Sequence, residues 1–422
     1  MGAAGSNWAG NLDYSARMLA APRSIPELQE LIASAEPGSL KALGTRHSFN
    51  DVADTDGTAV STASLQDGPA VAIDADRGVV AVASGVRYGE LALELDAAGL
   101  ALGNLASLPH ISVGGAVATG THGSGERNGS LAAAVAAVEF VDGRGEHVRL
   151  ARGDAGFDGA VVSLGVLGIT TRLELDVEPS FELAQHVYRE LPLEALVAHF
   201  DEIVGAGYSV SVFSTWQREG VADQVWLKRR VDRDPAAPAE LFGARPADAP
   251  QHPIPGVSAV HCTPQLGVPG PWFQRLPHFL LEFRPSNGDE LQSEYLVPRA
   301  RALDALAALR RLAPRIAPLL LVNEIREVAA DALWLSGSFE TDVVAFHFTW
   351  QPRQAEVDAL LPAIEAELLP LGARPHWGKR FAADASALEG RYSHWRDFAE
   401  LRAEHDPRGV FANAFTRRVL GG

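Results

Sequence analysis

A chain of 422 residues exceeds the size of one ordinary hydrophobic core, and we expect two domains. With 36 basic and 53 acidic residues the net charge is −17, which argues against a nucleic-acid or anionic-membrane partner and favours a neutral small molecule. The single cysteine, Cys262, excludes an internal disulfide and a thiolate-rich metal site, and we expect no metal. No apolar run reaches the roughly 18 residues of a membrane span, and we expect a monomeric, cytoplasmic protein.

The first elements of the chain are predicted to alternate between helix and strand. Ser24-Ile25-Pro26-Glu27 has the pattern of a capping box, which predicts a helix of about three turns. A short apolar run over 40–43 predicts a strand that ends in the loop GTRHSFN, residues 44–50. The run over 79–83 predicts another strand, followed by an amphipathic helix over 87–98 that Gly99 closes. This alternation is typical of α/β folds.

His47 lies in the loop after the first of these predicted strands, where α/β folds bind ligands. Most single histidines have a structural role, and that alternative stays open from the sequence. An imidazole in this place is also suited to act as a cofactor ligand, or as a nucleophile toward an activated methyl group of a cofactor.

Residues 106–125, ASLPHISVGGAVATGTHGSG, are rich in glycine and small hydroxyl residues and carry almost no charge. Backbone N–H groups in such a stretch can approach a bulky polyanion closely, which predicts a loop that cradles a diphosphate. A glycine-rich surface turn is the alternative, but the apolar residues Ile111, Val113 and Val117 favour a packed loop. No GxGxxG motif follows a predicted strand and opens a helix, so a nicotinamide-type dinucleotide fingerprint is missing.

The next part of the chain is predicted as a β-hairpin and a long strand. The hairpin strands cover 135–141 and 147–151 and are joined by Asp-Gly-Arg-Gly, and an alternating strand covers 169–177.

Beyond Pro179 the sequence changes to aromatic and β-branched runs, such as 208–213, that alternate with long helical segments, and we place a domain boundary there. Helices are predicted over 303–312 and 357–368. Residues 234–271 are rich in proline, alanine and glycine and are predicted as an irregular excursion.

Two predicted strands in this second part carry polar residues where a buried strand should be apolar. In the run 319–328, Glu324 and Arg326 are two apart, so both side chains leave the same face. In the run 343–350, His347 and Thr349 share the face opposite a row of aromatic and aliphatic residues. The polar faces suit a pocket for a hydroxyl-rich ligand, and a solvated sheet face is the alternative. Lys379 follows a predicted helix and either reaches the same pocket or lies on the surface.

Six motifs occur in a fixed order: GTRHSFN, ASLPHISVGGAVATGTHGSG, SLGVLGITT, NEIRE, FHFTW and PHWGK. Together they resemble the vanillyl-alcohol oxidase family of flavoproteins, and within it the aldonolactone-oxidoreductase branch. The resemblance implies a two-domain α+β fold. An α+β FAD-binding domain would comprise 1–179, with the C-terminal segment 376–422 returning to it. A substrate domain with an antiparallel sheet covered by helices would comprise 180–375.

The same resemblance implies that FAD is attached covalently through His47, although Arg46 stands where relatives often have a small residue. It further implies that FAD is contacted by Ala42, Leu43, Gly44, Thr45, Arg46, Ser48, Ser107, Ser112, Gly115, Thr119, Gly120, Thr121, His122, Ile169 and His376. The substrate would be surrounded by Ser107, Glu324, Arg326, His347, Thr349 and Lys379, of which Lys379, Arg326, Glu324 and His347 would be catalytic.

The activity implied by the resemblance is oxidation of the primary alcohol of an alditol, such as xylitol or sorbitol, to the aldose. Hydride would pass to the flavin, and dioxygen would be reduced to hydrogen peroxide. The size of residue 106 is suspected to gate dioxygen access in this family, so Ala106 leaves the electron acceptor partly open. An aldonolactone oxidase or dehydrogenase of the same family is the second hypothesis. A non-catalytic flavin or carbohydrate binding protein is the third.

Overall fold

The structure is a computed structural model that describes residues 4–282 and 290–421. In its first part, strands β1 to β10 are Met18–Ala20, Leu40–Ala42, Thr58–Val60, Val71–Asp74, Val79–Ala83, Leu100–Ala101, Val135–Asp142, His147–Ala151, Gly168–Asp176 and Glu178–Pro179. Helices α1 to α4 are Ile25–Ala33, Tyr88–Ala97, Val113–Ala118 and Phe157–Val161. The helices, strands and hairpin predicted for this part are therefore confirmed within one or two residues at their ends.

The start of α1 differs in one detail from the predicted capping box. Ser24 is the N-cap and accepts a hydrogen bond from the Glu27 amide at 3.3 Å. The Glu27 carboxylate, however, accepts from the amide of Arg23 at 2.7 Å and not from that of Ser24. The reciprocal bond is thus displaced by one residue, which still satisfies an amide at the helix entrance.

The predicted α/β alternation does not produce one parallel sheet. Strands β1, β3 and β2 form a small parallel sheet in that order, whereas β5 belongs to an antiparallel sheet with the order β4-β5-β9-β7-β8. The local pattern is confirmed, and the sheet is antiparallel because β5 pairs with β9, which lies about 90 residues further along the chain.

The glycine-rich stretch is also not a continuous loop, because its centre forms α3. The amides of Val113 and Gly114 donate to the carbonyls of Val86 and Ser84 at 2.8 and 2.9 Å. A Cβ on Gly114 would lie 2.8 Å from the Ser84 side chain, so this glycine permits close packing of α3 against the end of β5.

In the second part, strands β11 to β19 are Glu182–Pro192, Ser209–Ser214, Val221–Arg230, Arg245–Pro246, Pro269–Pro271, Leu291–Pro298, Leu320–Val328, Val343–Trp350 and Arg374–Pro375. Helices α5 to α12 are Leu193–Ala198, Phe200–Val204, Ala302–Arg311, Ala313–Ile316, Gln354–Leu368, Ala385–Leu388, Trp395–His405 and Ala414–Leu420. Within the described residues these nine strands form one antiparallel sheet, ordered β14-β11-β13-β12-β17-β18-β16-β19 with β15 also paired to β11. The predicted antiparallel sheet is therefore confirmed.

The C-terminal segment packs against the first part of the chain. Gly38 and Leu40 donate backbone hydrogen bonds to Gly409 and Val410. Sheet membership also changes between β10 and β11, and the large sheet ends at Pro375. These contacts support one domain formed by 1–179 together with 376–422, and a second domain formed by 180–375. The boundaries themselves stay a prediction.

The proline-rich excursion 234–271 is largely irregular, as predicted, with only the short strands β14 and β15 and one short 3-10 helix. Among the residues described, none of the helices combines the length and apolarity that a bilayer crossing would require.

Candidate active site

A cavity of about 640 Å³ lies between the loop after β2, helix α3 and one face of the large sheet. It brings together nearly all the predicted site residues. From the first part of the chain it is lined by Ala42, Leu43, Gly44, Thr45, Arg46, His47, Ser48, Ser107, Ser112, Gly115, Thr119, Thr121 and His122. From the second part and the C-terminal segment it is lined by Glu324, Arg326, His347, Thr349, His376 and Lys379.

Two predicted cofactor contacts, Gly120 and Ile169, do not line this cavity. Gly120 has a φ of 63° at the turn after α3, which is the left-handed conformation that glycine favours. The Ile169 side chain is fully buried in a separate core cluster, while its neighbours Gly168 and Thr170 reach the cavity. Strand β9 alternates its side chains between the two faces, so the neighbours take the place predicted for Ile169.

The loop after β2 presents a row of backbone donors to the cavity. Within the described part of the chain, the N–H groups of residues 44–48 and of Gly115 donate no hydrogen bond to the protein. A Cβ on Gly44 would lie 2.5 Å from Ser112 Oγ, so glycine here lets the loop approach the start of α3 closely. Successive unpaired amides around a cavity need acceptors, and a diphosphate supplies them.

His47 lies at the end of this row of amides and is held from two sides. Its Nδ1 lies 3.0 Å from Thr45 Oγ1, and the Trp8 ring stacks on the imidazole with centroids 5.5 Å apart. Burial, together with smaller effects of the nearby His110 and Arg87, lowers the pKa of His47 to about 4. The imidazole is therefore neutral at physiological pH and available as a nucleophile.

The opposite wall of the cavity is formed by three adjacent strands of the large sheet. Glu324 on β17 lies opposite His347 on β18, which in turn lies opposite Glu294 on β16. Thr349 and Gln292 form the next row that faces the same way. Directly paired residues share a face of the sheet. The alternative of a solvated sheet face is therefore wrong, because Glu324, His347 and Thr349 are each less than 10% exposed.

Glu294 holds the two cationic side chains of this wall. Its Oε1 accepts from Arg326 at 2.9 Å, and its Oε2 accepts from Lys379 at 2.7 Å. Burial alone would raise the pKa of Glu294, but Lys379 and Arg326 hold it well below its usual value. Burial lowers the pKa of Lys379, against the opposing effect of Glu294. The wall therefore contains an ionised carboxylate between two positive groups.

Lys379 reaches the wall from a segment that is tied to the cofactor loop. The Asn50 side chain donates to the carbonyls of Trp377 and Lys379 at 2.8 and 2.7 Å, and the Phe49 amide donates to Gly378. The alternative of a solvated surface lysine is wrong, because only 12% of the side chain is exposed. The end of loop 44–50 thus positions the ammonium group of Lys379.

Glu324 lies between Arg326 and two histidines. Its Oε2 lies 3.7 Å from an Arg326 nitrogen and 3.5 Å from His347 Nδ1, while its Oε1 lies 3.0 Å from His278 Nε2. Burial would raise the pKa of Glu324, but Arg326 and His278 hold it well below its usual value. Burial and Lys379 lower the pKa of His347 to about 4, so this imidazole is neutral.

Several residues of this site were not found from the sequence. They are Glu294, His278, Gln292, Phe279 and the cavity-lining part of the proline-rich excursion, which comprises His252, Pro253, Ile254 and Val257. The run LQSEYLVP at 291–298 contains an acidic residue among strand-forming residues, which is the same signal that led to Glu324. The other residues lie in irregular segments, where no periodicity could indicate a position facing the cavity.

His122, Glu294 and His376 are close enough to share one ion, because one ligand atom from each lies within 4.8 Å of the others. Glu294 Oε1 is 3.4 Å from His122 Nε2. The carboxylate already accepts hydrogen bonds from two positive side chains, which would repel a metal cation. This cluster is therefore better explained as the hydrogen-bonding environment of Glu294.

Comparison with known proteins identifies the family. Residues 16–151 match a model of the FAD binding domain, and residues 289–419 match a model of D-arabinono-1,4-lactone oxidase. The chain is 49% identical to an alditol oxidase from a Streptomyces species over 100% of both chains. The chain belongs to the aldonolactone-oxidoreductase branch of the vanillyl-alcohol oxidase family of flavoproteins. The resemblance seen in the six motifs is thus confirmed.

More distant relatives agree with this assignment to the vanillyl-alcohol oxidase family. The chain is 30% identical to an L-gulono-1,4-lactone dehydrogenase from Mycobacterium tuberculosis over 99% of both chains. It is 24% identical to the L-gulonolactone oxidase of Mus musculus over 98% of this chain and 97% of that one. Cholesterol oxidase from Brevibacterium sterolicum has the same fold, with a TM-score of 0.77, 16% identity and coverage of 99% of this chain and 96% of the other. The predicted two-domain flavoprotein fold is confirmed.

As a member of this family the protein is an oxidoreductase, and its cofactor is FAD. The cavity fits that cofactor on two grounds that do not depend on the comparisons. The unpaired amides of 44–48 offer donors for a diphosphate, and Gly44 and Gly115 line the cavity without a side chain that would occupy it. The polar wall then remains as the surface that faces a substrate.

Proposed function

We propose that this protein oxidises the primary alcohol of an alditol, such as xylitol or sorbitol, to the corresponding aldose. The observation that carries the proposal is that the donor row for FAD and a hydrogen-bonding wall face each other across one cavity. The alditol oxidase that is 49% identical over the full length supports the same substrate class.

The wall suits an uncharged ligand with many hydroxyl groups. Ser107, Glu324, Thr349 and His347 offer directional donors and acceptors, and each buried group left unpaired by a substrate analogue would cost roughly 1–3 kcal/mol. We assign these residues to binding the polyol chain. The carboxylates are already neutralised by Arg326 and Lys379, so the wall does not require a charged substrate.

The proton of the reacting hydroxyl needs an acceptor, and we assign this role to His347. Its Nδ1 faces the ionised Glu324, and its Nε2 has no hydrogen-bond partner among the described residues. Arg326 and Lys379 would stabilise the developing negative charge on the substrate oxygen. FAD, held by the amides of residues 44–48, would supply the hydride acceptor for the carbon, and dioxygen would be the final electron acceptor and be reduced to hydrogen peroxide.

We further propose that FAD is attached covalently through His47. The support is its place at the end of the donor row, its neutral imidazole and the stacking of Trp8, which fixes the plane of the ring. Acid precipitation should leave the yellow colour with the chain in the wild type and release free FAD from His47→Ala. Release of FAD from the wild type would contradict this attachment.

The activity is tested by an anaerobic titration of the yellow protein with xylitol. We expect the flavin absorbance to bleach with substrate and to recover when air is admitted, with hydrogen peroxide formed in equal amount to the aldose. No bleaching by xylitol or sorbitol would contradict the proposal.

The second candidate is an aldonolactone oxidase or dehydrogenase, because Ala106 lines the same cavity and the lactone-oxidising relatives cover the full chain. Rates with xylitol and with a sugar lactone, each measured with dioxygen and with an artificial electron acceptor, separate these possibilities. A faster reaction with the lactone would favour the second candidate.

We also propose that the protein works as a monomer in the cytoplasm. The single cysteine supports a reducing compartment, because a chain with one cysteine does not depend on an internal disulfide. Size-exclusion chromatography coupled to light scattering tests the monomer.

A further inference from the structure

Two residues outside the predicted site form a buried chain of polar groups that ends at the substrate wall. Lys228 on β13 is 1% exposed, and its Nζ lies 3.2 Å from Nδ1 of His278. His278 Nε2 lies 3.0 Å from Glu324 Oε1. The sequence contains only three lysines, so a lysine buried at this point is not one of many surface charges.

The surroundings of Lys228 fix the direction of these hydrogen bonds. The Leu276 carbonyl accepts from Nζ, and the Pro277 carbonyl lies 3.4 Å away. In its ammonium form Lys228 has three protons, and the one that the two carbonyls do not accept is donated to Nδ1 of His278. The ring proton of neutral His278 must then lie on Nε2, from which it is donated to the carboxylate of Glu324.

This donor chain also determines which hydrogen bond the second carboxylate oxygen of Glu324 accepts. Glu324 Oε1 is occupied by His278, so Oε2 remains for Nδ1–H of His347. A histidine that donates from Nδ1 keeps its lone pair on Nε2, and that nitrogen has no partner within the described residues. The chain thus determines which nitrogen of His347 can accept a proton.

Charged groups from several elements surround this chain and determine its protonation. Burial lowers the pKa of Lys228 to about 7, and burial with the charge of Lys228 lowers the pKa of His278 to about 4. The groups that face the chain are Glu324 and Arg326 on β17, Glu294 on β16, His347 on β18, Lys379 after β19, and Cys262 beside Lys228.

We propose that Lys228 and His278 are positioning residues of the reaction, which hold Glu324 so that His347 presents Nε2 as the proton acceptor. The proposal rests on the proposed oxidation, because it assigns the acceptor in that reaction. In this role neither residue has to contact the substrate, because Lys228 acts on His278 and His278 acts on Glu324.

The first test does not depend on activity. In holoenzyme labelled with ¹⁵N in histidine, the ring nitrogen shifts distinguish the two neutral tautomers. The His278 signal is assigned by its loss in His278→Gln. We expect the Nε2–H tautomer in the wild type and a mixture in Lys228→Met. An Nδ1–H tautomer in the wild type would overturn the proposal, whatever the enzyme oxidises.

The second test measures kcat/KM for xylitol against pH in His278→Leu and His278→Gln. The leucine leaves a buried carboxylate oxygen without a donor, and we expect a loss of roughly tenfold to a hundredfold. Loss of the His278 donor also makes Glu324 a better hydrogen-bond acceptor for His347, which raises the pKa of His347. The acid limb of the pH profile should therefore move up by about one pH unit. The glutamine side chain can still donate a hydrogen bond to Glu324. We therefore expect His278→Gln to keep most of the wild-type kcat/KM and the wild-type position of the acid limb.

His186→Gln is the matched control, because His186 lies on the same sheet and does not line the cavity. We expect its pH profile to equal that of the wild type. A uniform loss of rate in His278→Leu without movement of the acid limb would show a merely structural role and overturn the proposal. A wild type without polyol oxidation would overturn the proposed function, and the tautomer measurement would still decide the role of Lys228.

Discussion

At the scale of single residues, the site depends on how Lys379 is held. Its ammonium group lies 2.7 Å from Glu294, and the carbonyl of the same residue accepts from Asn50. Replacing Lys379 with methionine keeps most of the side-chain volume but removes the positive charge. Because a preorganised donor is lost where negative charge develops, we expect turnover of xylitol to fall roughly a hundredfold to a thousandfold. The flavin absorption spectrum of the variant should be unchanged. Stopped-flow absorbance measurements check both the spectrum and the loss of turnover.

Arg380→Met is the matched control for this substitution. Arg380 is the next residue in the chain, carries the same charge and pairs with Asp358 at 2.7 Å, but it does not line the cavity. We expect near-normal turnover in Arg380→Met. Near-normal turnover in Lys379→Met would remove Lys379 from the reaction.

At the scale of secondary-structure elements, the C-terminal helix α12 is joined to the cofactor-binding part of the chain by one side chain. Asn413 caps α12 through the Thr416 amide at 2.8 Å. Its side-chain nitrogen donates to the carbonyls of Asp51, Val52 and Asp54, which directly follow loop 44–50. Asn413→Ala removes the cap and leaves these carbonyls without their donor. We expect a loss of roughly 2–4 kcal/mol in the free energy of unfolding, measured by urea titration.

Ser24→Ala is the comparison for the cap alone. Ser24 caps α1 through a single bond to the Glu27 amide, in an exposed position. We expect this substitution to cost about 0.5–1 kcal/mol. Equal losses in the two variants would mean that the three carbonyl contacts of Asn413 contribute nothing to stability.

At the scale of the whole molecule, buried neutral histidines make stability depend on pH. Burial lowers the pKa of both His278 and His347 to about 4, below the ordinary value of 6.5. Between these values the unfolded chain binds more protons than the folded one, so stability falls as the pH decreases. We expect the free energy of unfolding of the holoenzyme to drop by about 1–3 kcal/mol from pH 6.5 to pH 5. Urea titrations at a series of pH values measure this change.

Glu327 changes the pH dependence of the free energy of unfolding in the opposite direction. Burial raises its pKa to about 7, so the folded state binds the extra proton and this contribution to stability is lost as the pH rises through 7. Glu327→Gln removes the opposing group, and we expect a steeper loss of stability on acidification than in the wild type. A shallower loss in this variant would contradict the assignment.

Local sequence pattern was sufficient for the parts of the site that lie within one element. Glu324 with Arg326, and His347 with Thr349, were predicted to share a face because side chains alternate along any strand. The glycines and hydroxyl residues of 106–125 were predicted to approach a polyanion because that property belongs to the residue types themselves. The order of six motifs was sufficient to indicate the flavoprotein family, which the comparisons confirm.

Tertiary structure alone decided which groups meet. Glu294 contacts Arg326 because β18 pairs with both β16 and β17, and it contacts Lys379 because β19 pairs with β16, although these strands have a different order in the chain. Lys228 and His278 reach Glu324 from β13 and from an irregular segment, and no local period connects residues so far apart. Sequence pattern sets the face on which a side chain lies, whereas its charge and proton depend on partners that only the folded chain brings within 4 Å.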